Sequence, residues 1–207
     1  MALRQQLALI PARRGSKGIP QKNSKLLGGF PLVLWSIVAA QQAGLDVYVV
    51  TDGEEIAQIA KEAKAKVIVE PPALAADGVG DLPVARYALR EILGPPGKFH
   101  WRHGWLDVAV AWLRPTAPFR PAAAIQEALA LLTARVDSVR SVAPACHPWK
   151  SYVAKGDLLQ PGGTYRWHNK PRQLMPPAFR ATGWIDAFWA RNAVRGSLDG
   201  SRIVPYL

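Results

Sequence analysis

Five apolar runs punctuate the first two thirds of the chain: "LALIPA" at 7–12, "DVYVVTD" at 46–52, "KVIVE" at 66–70, "DVAVAWLRP" at 107–115 and "SVRSVAP" at 138–144. Segments with helical spacing separate them. "PLVLWSIVAAQQAG" carries Pro31 in its first turn and Gly44 at its end, and "GEEIAQIAKEAKA" sets apolar residues at 56, 57, 59, 60 and 63. "DLPVARYALREIL" begins at Asp81, a candidate cap, and "AAAIQEALALLTA" follows Pro121. Continuous rather than alternating apolar strands belong in a parallel sheet covered on both faces. Right-handed crossovers then predict an α/β fold with a doubly wound, mostly parallel sheet. From about 145 the alternation stops, and the spacing predicts an extended excursion over about 145–175, a hairpin with Gly162 and Gly163 at or near its turn. "TGWIDAFWA" and "SRIVPYL" read as strands returning to the sheet edge. No repeat or low-complexity linker divides the chain, so 1–207 reads as one domain containing that excursion.

Charge changes this picture more than composition does. Twenty-six basic against 15 acidic residues give a net charge of +11, which favours an anionic partner. No run of five consecutive basic residues occurs, and no helix carries a basic stripe. The cations cluster in loops at 13–25, 98–103 and 166–180, which suits a focused phosphate pocket better than a polymer track and argues against a nucleic-acid partner. The single cysteine, Cys146, excludes an internal disulfide and a cysteine-based metal site, and fits a reducing cytoplasm. No apolar stretch is long enough to span a bilayer, and the start is too weakly apolar for a signal peptide. The expectation is a soluble cytoplasmic protein with no membrane partner. The four histidines lack metal-site spacing, and Ser16 has no His and acidic partners that would make it a nucleophile.

In doubly wound folds ligands bind beyond the carboxyl ends of the strands, which is where Arg13, Asp52, Arg114 and Thr116 fall. The loop after the first strand concentrates Arg13, Arg14, Lys17, Lys22 and Lys25 around Gly15 and Gly18. It matches neither the Walker phosphate motif nor the dinucleotide fingerprint. Its glycines allow positive torsions and close backbone approach to an anion. Asp52 has two readings, one positioning nucleotide or metal and the other capping the helix that starts near Gly53.

The whole pattern is more specific. "IPARRGSKGIPQKNSKLLGGFPLV" resembles the opening signature of the acylneuraminate (sialic acid) cytidylyltransferase family. "VYVVTDGEEIAQIAKEAKAKV", "PPALAADG", "LRPTAPFR", "SVRSVAPACHPWKS" and "PRQLMPPAFRATGWI" resemble its later blocks in the same order. The resemblance implies a nucleotide-diphospho-sugar transferase-like fold and a homodimer built on the excursion. It also implies an enzyme that joins an acidic sugar (a sialic acid or a related nonulosonate or ulosonate) to CTP with Mg2+, giving a CMP-sugar and pyrophosphate.

The same resemblance assigns residues. Ala12, Arg13, Lys17, Lys22 and Asn23 fall on the nucleotide-binding loop, with Arg13 and Lys22 as the catalytic candidates for phosphate contact and transition-state stabilisation. Asp52, Glu70 and Asp81 complete the nucleotide set. Arg114, Thr116, Lys150, Arg172, Gln173 and Arg180 form the sugar set, Lys150 reaching over from the partner subunit. Thr116 and Arg120 also shape the strand-to-helix turn.

Departures from the family pattern qualify the substrate. Glu70 stands where members commonly carry arginine and Asp81 near a serine, which leaves the base open to cytosine or that of another nucleoside triphosphate. Arg114 replaces a glutamine, and Trp184 a small residue that it would replace by narrowing the sugar side. The family's paired aspartates for magnesium lie past its "VVPY"-like strand, the chain ends at "RIVPYL", and neither Asp186 nor Asp199 fits that motif. Protein ligands for the metal are therefore unknown. Two other readings follow: a catalytically impaired nucleotide-binding or scaffolding relative, and, from charge alone, a nucleic-acid binder.

Overall fold

The computed structural model describes residues 5–95, 105, 107–145, 152–155, 157–161 and 170–207. Strand β1 (Gln6–Pro11) leads through a loop and the short pair β2 (Leu26–Leu27) and β3 (Phe30–Pro31) into helix α1 (Leu32–Gln42). β4 (Asp46–Thr51), α2 (Glu54–Glu62), β5 (Lys66–Val69), a one-turn helix α3 (Pro72–Ala75) and α4 (Asp81–Leu93) follow. Then come β6 (Ala109–Trp112), α5 (Ala122–Ala130), β7 (Ser138–Pro144), the hairpin strands β8 (Tyr152–Lys155) and β9 (Leu158–Pro161), β10 (Phe179–Trp189), α6 (Ala190–Val194) and β11 (Ile203–Tyr206).

Seven strands form one sheet in the order β11-β7-β10-β6-β1-β4-β5. The pairs β1–β4, β1–β6, β4–β5 and β7–β11 are parallel, and β10 runs antiparallel to β6. The continuous apolar runs of β1 and β6 have the cause anticipated for them, because these central strands bury both faces. Ala8 and Ile10 of β1 join Val33, Ile37, Ile56 and Ile125 from α1, α2 and α5 on one side. Leu7 and Leu9 join Val84, Ala88 and Leu89 of α4 on the other. The fold is thus the α/β, mostly parallel, two-sided sheet expected.

Several details differ from expectation. β10 lies inside the sheet between β6 and β7 rather than at its edge. Ile185, Ala187, Phe188 and Trp189 are all essentially inaccessible to solvent, and such a segment gains most where both faces are covered. β11 does form the edge. Asp81 does not cap α4; Gly80 holds the cap position and Asp81 lies in the first turn, its carboxylate engaged elsewhere. The excursion's hairpin register pairs Lys155 with Leu158, so the chain reverses before Gly162 and Gly163, which lie outside the described residues.

The chain divides into two compact units, Met1–Ser141 with Gly183–Tyr206 and Val142–Thr182 with Leu207. The smaller contains β8, β9 and a 3-10 turn at Arg172–Leu174, and in it the Ala145 N–H donates to Ala178 O at 2.9 Å. Among the described residues no helix is long and apolar enough to cross a membrane.

Candidate functional site

A cavity of about 300 Å³ opens in the larger unit beyond the carboxyl ends of β1, β5 and β6. Arg13, Lys22, Asn23, Glu70, Asp81, Arg114 and Thr116 all line it. Seven residues drawn from four separated stretches of sequence therefore meet in one place.

The loop after β1 is framed by its own hydrogen bonds. Buried Ala12 donates its N–H to Val50 O on β4 at 2.9 Å, continuing the sheet one residue past the strand. Asn23 is buried too; its Nδ2 donates to Arg13 O at 2.9 Å, and its own carbonyl accepts from Val33 N–H at the start of α1. Asn23 is thus a brace between the two ends of the loop. Asp52 accepts from Arg14 N–H at 2.6 Å, and Gly53 lets the loop approach, since a Cβ there would stand 3.1 Å from Arg14 Cβ. Gly53 is the N-terminal cap residue of α2, and no side chain caps that helix. Asp52 therefore clamps the basic loop to β4, and the capping reading falls away.

The turning in the loop occurs elsewhere than Gly15 and Gly18, neither of which has positive φ. It is taken up by Gln21 at φ 52° and by Gly28 and Gly29 at 60° and 85°. Nothing lies within 4 Å of a Cβ built at Gly15 or Gly18, so the arc between Arg14 and Pro20 is open enough for ordinary torsions.

The cations are already partly balanced. Arg13 Nη1 stands 3.2 Å from Asp77 Oδ1, and Lys17 Nζ is 2.9 Å from Asp77 Oδ2. Lys17, with bonding first, and then Arg13 hold the Asp77 carboxyl below its usual range. Asp77 lies in "PPALAADG" but was not among the residues singled out; an acidic residue in the loop facing a basic one is the signal that marks it.

Glu70 also lines the cavity, only 5% exposed, just past β5, where its N–H donates to Thr51 O. Burial, then the charge of Asp52, push its carboxyl up to about 7, against a smaller opposing pull from Arg13. Such a group exchanges its proton near neutral pH and seeks a hydrogen-bonding ligand.

Arg114 is held between two carboxylates, Asp81 and Asp186, while Arg140 bridges Asp186 to Asp199. Asp186 is 2% exposed, and sequence reasoning set it aside. The signal was a lone carboxylate inside the apolar strand "WIDAFW", which requires buried cations as partners. Arg120 is buried, donating to Ser36 Oγ at 2.9 Å and to Arg114 O at 2.7 Å, so it shapes the turn after β6 as expected. Burial and the Arg114 charge lower its pKa to about 10. Trp184 is taken up by stacking on Tyr206 at 6.2 Å and by donating Nε1–H to Phe119 O at 2.8 Å. Of the remaining sugar set, Gln173 and Arg180 are exposed in the smaller unit, Arg172 begins its 3-10 turn, and Lys150 lies outside the described residues. Cys146 and the four histidines lie outside them as well.

Comparison with known proteins places this geometry in context. The Cytidylyltransferase family matches residues 7–78, from β1 through the Glu70 strand end. The chain is 36% identical over 160 residues to CMP-N,N'-diacetyllegionaminic acid synthase of Legionella pneumophila, covering 75% of this chain and 66% of that protein. It is 37% identical over 154 residues to N-acylneuraminate cytidylyltransferase A of Danio rerio, covering 72% of this chain and 33% of that one. The chain thus spans under two thirds of these relatives' lengths. Among solved structures, CMP:2-keto-3-deoxy-manno-octonic acid synthetase complexed with CTP superposes with TM-score 0.62 at 16% identity, over 92% of this chain and 76% of that one. A 4-diphosphocytidyl-2C-methyl-D-erythritol synthase gives 0.63 at 14%, over 99% and 89%. These two share the fold. With the ordered sequence blocks, the matched relatives and the cavity at the strand ends all in agreement, the chain belongs to the acylneuraminate-type cytidylyltransferase family.

Proposed function

We propose that the protein transfers a cytidylyl group from CTP to an acidic sugar of the nonulosonate or ulosonate class. The observation that carries the reading is the mixed charge of the 300 Å³ cavity, whose lining gathers Arg13, Lys22 and Arg114 with Glu70 and Asp81. A nucleoside triphosphate matches that mixture, an anionic tail for the cations joined to a neutral base whose N–H donors suit a carboxyl. The tail belongs against Arg13 and Lys22, with Lys17 paired to Asp77, and with Asn23 and Ala12 holding the loop in shape. The base belongs against Glu70, whose carboxyl can accept a hydrogen bond from the exocyclic amino group of cytosine.

In this reaction the sugar's anomeric oxygen forms a bond to the α-phosphorus, the bridge to the β-phosphorus breaks, pyrophosphate leaves, and the hydroxyl proton is released. Arg13 and Lys22 stabilise the charge that accumulates on the departing pyrophosphate, and catalysis of this kind is chiefly positioning and electrostatics. Among the described residues no group of three or more His, Cys, Asp or Glu side chains could hold a metal ion. Mg2+ is accordingly proposed to travel on the triphosphate, where it would neutralise phosphate charge, and no step is assigned to it here.

The sugar is proposed to lie toward Arg114 and Thr116, with Arg172, Gln173, Arg180 and a partner-subunit Lys150 assigned to it by family resemblance. A homodimer through the smaller unit is supported by its exposed apolar side chains, among them Tyr152, Val153, Leu158 and Leu174 at 55–72% exposure. The compartment proposed is the cytoplasm. The deciding experiment is a pyrophosphate-release screen of CTP, UTP, ATP and GTP against a panel of acidic sugars with Mg2+. Release with CTP and at least one such sugar is expected. Nucleotide binding with no release from any pair would instead favour an impaired relative.

A further inference from the structure

The ion pairs around Arg114 differ sharply in accessibility. Asp186 is 2% exposed, and its Oδ2 receives both Arg114 Nη1 and Arg140 Nη1 at 2.5 Å. Its Oδ1 is buried with no hydrogen-bond partner among the described residues. A carboxylate so placed cannot leave, because exposing or stranding it without its guanidinium partners would be costly. Gly183 lies beside the Arg114 fork, where a built Cβ would make ordinary contact with Nη1 at 3.5 Å. Asp81 occupies the opposite tine, Nη2, but its side chain is 42% exposed and it lines the cavity. Arg114 therefore has one permanent partner and one exchangeable partner, and the exchangeable one is a carboxylate facing the ligand space.

We propose that Asp81 is an internal stand-in for the substrate's own carboxylate: the acidic sugar binds by displacing Asp81 from Arg114 Nη2, while Asp186, braced by Arg140, is the positioning residue that keeps the Arg114 fork aimed at the cavity. The inference rests on the acidic-sugar reading above and deepens it. It explains how a pocket can carry Arg114 without a stranded charge before substrate arrives, since Arg114 is compensated in both states. It also makes carboxylate recognition an exchange, so that a neutral sugar, unable to compensate Arg114, cannot displace Asp81. The phosphates of CTP are assigned to Arg13 and Lys22, which take no part in the exchange.

The test uses the full chain, saturated with CMP, and compares calorimetric binding of N-acetylneuraminate and 3-deoxy-manno-octulosonate with their methyl esters. The wild type should prefer the better acid over its ester by on the order of tenfold, the advantage of a charge-assisted fork. Asp81→Asn, a change at a half-exposed side chain, should tighten the acid by about three- to fivefold, the scale of one exposed competing ion pair, and leave the ester affinity where it was. Arg114→Gln should abolish the acid preference. Adding Asp186→Asn to Arg114→Gln should cost acid binding nothing more, whereas Asp186→Asn alone should weaken the acid and spare CTP. A weaker acid complex in Asp81→Asn or an equal gain for the ester would overturn the proposal. So would a wild type that releases pyrophosphate with CTP yet binds acid and ester alike, and that result would leave the cytidylyltransferase reading standing. A wild type that binds neither CTP nor any of the four sugars would remove both.

Discussion

Replacing Glu70 by Gln isolates the charge of the buried carboxyl while nearly preserving its shape. Below about pH 4.5, its ordinary value, Glu70 is protonated in folded and unfolded chains alike. Between there and about 7 the unfolded chain gives up the proton and the folded chain keeps it. The native state then holds more protons, so stability must fall as pH rises across that window and level off above it. A rise from 4.5 to about 7 corresponds to ~3 kcal/mol at ~1.4 kcal/mol per tenfold. The cavity is open to water, and screening removes roughly half of that, leaving ~1–2 kcal/mol.

For a chain of this size each kcal/mol moves the melting temperature by about 2–4 °C. Thermal unfolding of wild type and Glu70→Gln, followed by circular dichroism from pH 4.5 to 8, should therefore show curves that separate by about 2–8 °C in favour of Gln. The informative quantity is the change of that separation with pH, because the amide itself adds only a constant offset. Asp52→Asn, which keeps an oxygen for Arg14 N–H but loses the charge beside Glu70, should shrink the separation. A separation that stays flat across the whole range would mean that Glu70 ionises as it does in water, and the assignment of Glu70 to an uncharged base would fall with it.

The double change Arg13→Ala, Lys22→Ala should lower CTP affinity at least ~100-fold, since a hydrogen bond to a charged group contributes about 1.5–3 kcal/mol; both side chains are partly exposed, so melting should move by no more than ~2 °C, and an unchanged dissociation constant in titration calorimetry would refute the phosphate assignment. Gly200→Ala should destabilise by ~2–3 kcal/mol in urea unfolding, because Gly200 has φ +67° and a Cβ would meet Asp137 Cβ at 2.5 Å; a loss below ~0.5 kcal/mol would contradict that contact. Arg140→Met should cost about 1–3 kcal/mol by removing one of the two guanidinium partners of buried Asp186, whereas Asp199→Asn at the exposed end of the same network should cost under ~1 kcal/mol. Equal costs for the two would show that the network is no more buried at Asp186 than at Asp199.

The fold was legible because its central strands β1 and β6 carry almost no polar compromise. "LALI" and "AVAW" are apolar at every position, and a run of that kind has only one comfortable place, between two layers of helix. Helix bounds followed from Pro31, Gly44 and Pro121 for the same reason, since each acts locally through a fixed torsion or a missing donor. The place of β10 was not legible. Its residues declare burial but not neighbours, and strand order depends on which partner supplies the better cross-strand packing. Here Phe188 lies 6.5 Å from Trp112 and Asp186 is registered opposite Trp112. Local rules cannot rank such long-range pairings.

The site divides along the same line. Arg13, Lys22 and Asn23 could be read from one contiguous loop, because close-set cations among glycines need an anion wherever they fold. Asp81, Arg114, Asp186 and Arg140 come from four separate stretches, and each taken alone invites a wrong local role. Asp81 resembles a helix cap, Arg114 a free cation after a strand, and Asp186 an anomaly in an apolar segment. What unites them is charge conservation in a buried space. A strand that buries Asp186 must bring cations to it, one of those cations reaches the cavity, and there it needs a second anion. Asp81 meets that need in the folded chain and, being exposed, is the only member of the four that a ligand could replace without unfolding anything. The functional meaning of the four thus follows from their unequal burial, a property that exists only once the sheet has formed.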